Sequence, residues 1–437
     1  MIRISKPRIE KNDNTTFLLS EVYDEVRNLR MDVWFSVDSI WGEYLCNEYA
    51  DSFLLLLLPI AMKSRQGITI DCPVSSKLFF NLQNTIQPLF CKILEVDSPI
   101  VIKAEVNNSV CFENKGVGCG CSLGVDSLSS FFKHFGEEAM SGYEVTHLTL
   151  FNSGQLGDYD LDASEKNFHR SVEELKPFSA AVNLPILAVN SNLNELYKYS
   201  GVSLLQSFIN RTLACAMAVQ KLLGKYVYAS SYMISQFEIS TIDQSHCESS
   251  YVPLFSTHNF EAILSNPMLS RVDKTEFISK NALTPKFLQV CWAEQTAYEV
   301  WHNTRFLEGK TKTNCGWCDK CLRTLLTLEV IQNGNIDMYA DKFELKKYYE
   351  HREDYIKKVF KERKSNFFYQ EIVELILQRN YPIASSVKRH YEWELLKERF
   401  SSVIIKTTNR IAVMPMRILH KIKSKIQNLK SATRRLI

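Results

Sequence analysis

The period of the apolar positions changes along the chain, and those changes divide it. Residues 3–5, 16–19 and 31–37 have the β-forming character of strands, 49–63 and 75–89 read as helices, and 67–72 and 100–106 as further strands. The apolar run 53–60 is far shorter than the ~20 residues that cross a bilayer, so it predicts a buried helix or strand. Trp34, Trp41 and Phe79 read as core or domain-interface aromatics. From Asp126 the pattern is helical: Leu128, Phe131, Phe132 and Phe135 fall at i, i+3, i+4 and i+7, on one face. Strands are then expected at 144–151, 184–190 and 225–230, separated by helices at 165–183 and 207–223, with the pattern continuing around 255–266. Such alternation predicts an α/β fold with a doubly wound parallel sheet, whose ligands gather at the C-terminal ends of the strands. The expected organisation is an α+β section of unknown role at 1–110, the α/β domain at 111–340, and a helical extension at 341–437.

Length and charge refine this picture. A chain of 437 residues exceeds what one domain requires, and 45% hydrophobic with 23% charged residues suits a globular protein. Charged residues from the start and no apolar leader predict a cytoplasmic location without a transmembrane segment. The net charge of +3 is unevenly spread. Residues 401–437 carry Lys and Arg throughout, no Asp or Glu, and apolar positions at helical spacing over 418–429. That tail is expected either to meet an anionic surface or protein partner, or to remain solvated.

Two stretches carry candidate chemistry. Gly116-Val117-Gly118-Cys119-Gly120-Cys121-Ser122-Leu123-Gly124-Val125-Asp126-Ser127 runs into the helix just described. Glycines allow close approach of backbone to an anion, and the orphan N–H groups and dipole at a helix start favour one. The same pattern also fits an ordinary capped loop. Among 12 cysteines, Cys315-Gly316-Trp317-Cys318-Asp319-Lys320-Cys321 stands out. Three thiols at this spacing can converge on one ion, with Gly316 easing the turn and Cys291 as a fourth ligand. Four thiolates prefer zinc in a closed tetrahedral site, with an iron–sulfur cluster as the alternative. Cys119 and Cys121 read either as buried fillers or as activated thiols.

The segment Ser122-Leu123-Gly124-Val125-Asp126-Ser127 resembles the Ser-Gly-Gly-x-Asp-Ser pyrophosphate loop of the N-type ATP pyrophosphatases, with leucine where that family has glycine. The cysteine arrangement resembles that of the 7-cyano-7-deazaguanine synthase family, with a longer spacing from Cys291 to Cys315. The resemblance covers roughly residues 111–329 and implies a sheet of the adenine-nucleotide alpha-hydrolase type with ATP, Mg2+ and Zn2+ as cofactors. It implies that Ser122, Leu123, Gly124, Val125, Asp126 and Ser127, with Phe151, Asn152, Arg211 and Ser230, hold the nucleotide. Asp126, Ser127, Arg271 and Lys274 would serve the chemistry, and Cys291, Cys315, Cys318 and Cys321 the zinc. Leu123 is expected to fit only if its φ is negative and its side chain turns away from the nucleotide. The implied reaction is adenylation of a carboxylate with release of pyrophosphate, then displacement of AMP by a nitrogen nucleophile to form an amide or nitrile. A small molecule, sugar, peptide, polymer precursor or nucleobase-like acceptor stays open, as does a homo-oligomer. Two alternatives stand beside it: sulfur transfer through Cys119 or Cys121, and a nucleotide-binding regulatory or scaffold protein that no longer turns over.

Overall fold

The computed structural model describes residues 1–137, 139–156, 161–291, 311–394 and 396. The basic tail at 401–437 and positions 157 and 158 of the loop after 151 lie outside the described residues. The N-terminal part comprises β1 (Ile2–Ile4), β2 (Arg8–Lys11), β3 (Thr15–Asp24), β4 (Leu29–Asp38), α1 (Asp51–Lys63), β5 (Ile68–Ile70), β6 (Val74–Ser75), α2 (Ser76–Asn81), α3 (Gln87–Ile93), β7 (Ile102–Lys103) and β8 (Val106–Asn107). There follow β9 (Gly116–Gly120), α4 (Val125–Lys133), β10 (His147–Phe151), α5 (Leu161–Val182), β11 (Ile186–Ser191), α6 (Leu193–Tyr197), α7 (Phe208–Ala218), β12 (Leu223–Ala229), β13 (Glu261–Ser265), α8 (Arg271–Ser279) and α9 (Thr284–Phe287). Then come α10 (Asp319–Ile331), α11 (Leu345–Glu362) and α12 (Phe367–Gln378).

Five strands form a parallel block in the order β13-β12-β9-β10-β11. Counted from β9, the block reads 5-4-1-2-3, so the winding direction reverses between β9 and β12. In such sheets the crevice beyond the strand ends at this reversal is where ligands bind. The stretch 121–124, between β9 and α4, leaves the sheet at that place. Alternate strand residues serve two cores: Val227 packs with α4, α5 and α8, whereas Tyr226 and Tyr228 pack with α1 and α7.

The N-terminal section does not stand apart from this block. β11 pairs antiparallel with β4, in register Asn190 to Ser36, and the sheet continues through β3, β1, β5 and β7 to eleven strands, counting β2 beside β3. One apolar cluster runs from Ile2 to Ala262, across the boundary expected at residue 110. α1 is buried on nearly every side and packs on α7, which is why its sequence lacks a polar face. Beyond α8, helices α10, α11 and α12 pack into the second cluster, so the extension up to residue 394 is part of the body. No described helix is long and apolar enough to cross a membrane.

Candidate anion site and cysteine centre

The N-terminus of α4 has Gly124 as its cap, and among the described residues no side chain caps its first N–H groups. Ser127 Oγ donates to the Gly124 carbonyl at 3.1 Å, and Ser122 Oγ lies 3.2 Å from Ser127 Oγ. The orphan donors of that first turn therefore keep their capacity for an anion. Leu123 corrects the expectation drawn for it: its φ is +58°, in the left-handed region, and its side chain is buried in the second core. The position uses the conformation for which glycine is suited, and leucine adopts it because its side chain gains a packed environment.

α8 meets this turn from the side. Its own start is fixed by Ser270, whose hydroxyl accepts from the Asp273 N–H while the Asp273 carboxylate accepts from the Ser270 N–H. That frame aims Arg271 and Lys274 at Asp126. The Arg271 guanidinium is 2.7 Å from one Asp126 oxygen, and Lys274 Nζ is 3.6 Å from the other. Lys274 Nζ also donates to the Ser230 carbonyl at 2.6 Å and hydroxyl at 2.9 Å, which gives Ser230 a bracing role at the end of β12. Burial lowers the Lys274 ammonium below the usual lysine range, opposed by Asp126. Asp126 is thus committed to two cations. Among the described residues no group of three or more His, Asp or Glu side chains gathers elsewhere to form a magnesium cage.

Five further residues complete the site. Glu248 is buried, accepts from the Ser231 N–H at 2.6 Å and the Tyr232 N–H at 3.3 Å, and has its second oxygen unpaired. Burial pushes its carboxyl up to about 8, against the pull of those N–H groups and Lys274. From α10 come Lys320 and Arg323; burial, with Arg271 as a like-charged neighbour of both, drops Lys320 to about 7 and holds Arg323 below the usual arginine range. Phe368 on α12 lies under two guanidiniums, Arg323 at 4.3 Å and Arg271 at 4.9 Å from its centroid, and stacks on Tyr232 at 5.5 Å. Glu371, one turn further, accepts from the Arg271 N–H at 2.9 Å. No local pattern in 341–400 marks these residues, because their meaning comes from the packing of α12 on α8.

Three residues expected at the nucleotide make contacts within the chain. Phe151 is buried and stacks on Tyr226 at 5.4 Å. The Asn152 amide donates to Ser164 Oγ at 3.0 Å and Asn190 Oδ1 at 2.7 Å, tying β10 to β11 and α5. Arg211 is fully buried, donates from Nε to Ser207 Oγ at 2.9 Å, and lies 3.5 Å over the Tyr197 ring. It lies on α7 beside the Gly154 turn. Cys119 and Cys121 are buried between strand and helix, and burial raises Cys119 well above the usual thiol range and Cys121 up to about 12. Both are therefore neutral thiols at neutral pH, unlike an activated sulfur nucleophile.

The sulfurs of Cys291, Cys315, Cys318 and Cys321 all lie within 4.8 Å of one another and are buried, a set able to hold a metal ion. Cys315 and Cys321 are 3.9 Å apart. Gly316 has φ +82°, and a Cβ there would collide with the Glu344 carbonyl, so the turn requires glycine. Asn314, missed in the sequence, is the staple between the two arms: its Oδ1 accepts from the Val290 and Cys291 N–H groups at 2.8 and 3.1 Å, and its amide donates to the Leu288 carbonyl at 2.9 Å. One residue before Val290, the Gln289 N–H donates to the Leu123 carbonyl at 2.9 Å, joining the cysteine centre to the loop before α4.

No family model, curated protein or solved structure matches the chain.

Proposed function

We propose that the chain is an ATP-dependent ligase that cleaves ATP to AMP and pyrophosphate, adenylating a carboxylate and then transferring the acyl group to nitrogen. The observation that carries this reading is the convergence of Arg271, Lys274, Lys320 and Arg323 around Asp126, beside the uncapped start of α4 at the winding reversal of the sheet. Asp126 offsets one positive charge, and Glu248, with its raised proton affinity, is mostly neutral at pH 7. The remaining positive charge, carried chiefly by Arg271, Lys274 and Arg323, suits a polyphosphate, and it is in place before the reaction begins. In the adenylation step the carboxylate oxygen attacks the α phosphorus while the bond to the bridging oxygen of pyrophosphate breaks. Negative charge then grows on the leaving group, where Arg271 and Lys274 stabilise it more than in the ground state. The α4 N–H groups would hold the same phosphates, with the Ser122 and Ser127 hydroxyls as further donors. Magnesium would enter on the phosphates of ATP, since the described carboxylates provide no cage for it.

For the four cysteines we propose structural zinc. Zinc–sulfur bonds of ~2.3 Å place tetrahedral sulfurs ~3.8 Å apart, close to the Cys315–Cys321 separation. All four positions would be filled by the chain, so the ion would contribute folding energy and no open site.

A second reading, nucleotide binding without turnover, is favoured by Leu123, a buried side chain in the loop where a glycine would leave more room. Incubation with ATP and a panel of carboxylates, with ammonium as nucleophile, separates the two. AMP and pyrophosphate that appear only with a particular carboxylate support the ligase; ATP binding with no AMP from any carboxylate supports the second reading. Production of ADP and phosphate would overturn the proposed cleavage.

A further inference from the structure

We infer that Lys320 and Arg323 bind the same polyphosphate as Arg271 and Lys274, and that the gathered cysteines set them in place, so that anion affinity and metal retention are coupled. The inference rests on the polyphosphate reading above and adds to it two binding residues and a linkage.

The coupling starts at the first turn of α10. Its cap is Cys318 and its first residues are Asp319, Lys320 and Cys321, with Arg323 two positions on. Cys318 and Cys321 are spaced i, i+3 and share one helix face, while Lys320 and Arg323, also i, i+3, share another. The rotation of the turn that brings two sulfurs to the cluster therefore also sets where both cations point. Arg323 points at like charge: its guanidinium and that of Arg271 both lie over the Phe368 ring, at 4.3 and 4.9 Å from the centroid, and Lys320 lies on the Arg323 face of the helix. Two guanidiniums over one ring repel each other, and Asp126 pairs with Arg271 of the two. An ion bridging Cys318 and Cys321 would hold the turn against that repulsion; a polyphosphate would remove its cause.

A second tether runs through the other arm. Cys291 is bound through its N–H to Asn314, and Gln289, two residues earlier, is bound through its N–H to the Leu123 carbonyl. Gathering Cys291 with the knuckle thus also places the backbone before the α4 N-terminus. Both routes are short. Binding of either ligand then favours the geometry that the other needs, and such coupling acts equally in both directions.

The test uses the full chain as purified with its metal, and inorganic pyrophosphate as probe. Calorimetry gives the pyrophosphate affinity, and transfer of metal to a chromogenic chelator gives the release rate with and without pyrophosphate. Arg323→Gln and Lys320→Gln keep all four cysteines and should each weaken pyrophosphate by about tenfold or more, the usual size of a charge-assisted bond, with full metal content and little change in melting. Saturating pyrophosphate should slow metal release by about tenfold, within the ordinary range of coupling between sites. The protection should vanish in the double variant, which also reports any direct chelation by the probe. Arg323→Lys should recover part of the affinity, separating charge from packing on Phe368. Unchanged affinity in both single variants, or equal protection in the double variant, overturns the inference. Failure of the wild type to bind pyrophosphate removes the polyphosphate reading and this inference together. Weakened binding in the variants, with no AMP formed from any carboxylate, removes only the ligase chemistry.

Discussion

Arg271 and Asp126 join the first turns of two helices through a 2.7 Å ion pair, with one guanidinium face on Phe368. The pair lies where α8 crosses the start of α4, so Arg271 is held in place before any ligand arrives. Replacing Arg271 with alanine should lower ATP-to-AMP turnover by about a hundredfold or more, the size seen when one fixed stabiliser of a developing anion is removed. Its pairing is partly exposed, so the fold should lose only about 1 kcal/mol. Turnover assays beside thermal melts decide it: full turnover in the variant would remove Arg271 from the chemistry.

Leu123 sets backbone strain against burial. The left-handed conformation costs a leucine about 1–2 kcal/mol, which glycine would recover, but deleting a buried leucine side chain costs about 2–5 kcal/mol. At 5% exposure the burial side should win. Leu123→Gly should therefore destabilise the chain by roughly 2 kcal/mol while enlarging the space beside the phosphate loop. A denaturant titration showing a more stable glycine variant would mean that strain dominates at this position.

Much of the mixed α/β architecture was legible because its signals are local: the periodicity after Asp126, the alternation of strand and helix from 144 to 266, and the tight C-x2-C-x2-C spacing. What escaped is non-local. β4 meets β11 across more than 150 residues of chain, and no pattern within either strand says that Ser36 will face Asn190. Glu248 reads in sequence as one acid in a polar loop; only its burial against the Ser231 and Tyr232 N–H groups gives it significance. Arg211 belongs here too: its order along the chain suggested a ligand contact, and no local pattern announces that it lies over the Tyr197 ring. Phe368 and Glu371 belong to a helix that looked like a separate extension and instead packs on α8.

The cysteine centre should depend on two residues that bear no sulfur. Gly316→Ala places a methyl group against the Glu344 carbonyl at a φ of +82°. Asn314→Ala removes the acceptor shared by the Val290 and Cys291 N–H groups. Each should lower bound metal per chain and reduce stability by about 2–3 kcal/mol, from strain in the first and unsatisfied buried groups in the second. Elemental analysis and melting check both outcomes, and full metal in Asn314→Ala would show that the staple is dispensable.

Glu248 should make stability fall as pH rises through the neutral range. Its carboxyl is raised in the folded chain to about 8 from an ordinary value of 4.5, mainly because burial penalises the charged form. The folded state therefore holds this proton more tightly than the unfolded state. The resulting stabilisation is fully present below about 4.5, declines between the two values, and is gone above about 8. Glu248→Gln keeps an oxygen to accept from the Ser231 and Tyr232 N–H groups and has no proton to lose. Relative to this variant, the wild type should lose unfolding free energy between about pH 5 and about pH 8, after which the difference should level off. Urea midpoints of the two proteins across that interval make the comparison, with shared titrations such as those of the exposed carboxylates largely cancelling. A constant difference at every pH would show that Glu248 is already ionised in the folded chain, and Lys274 would then hold its charge beside two carboxylates instead of one.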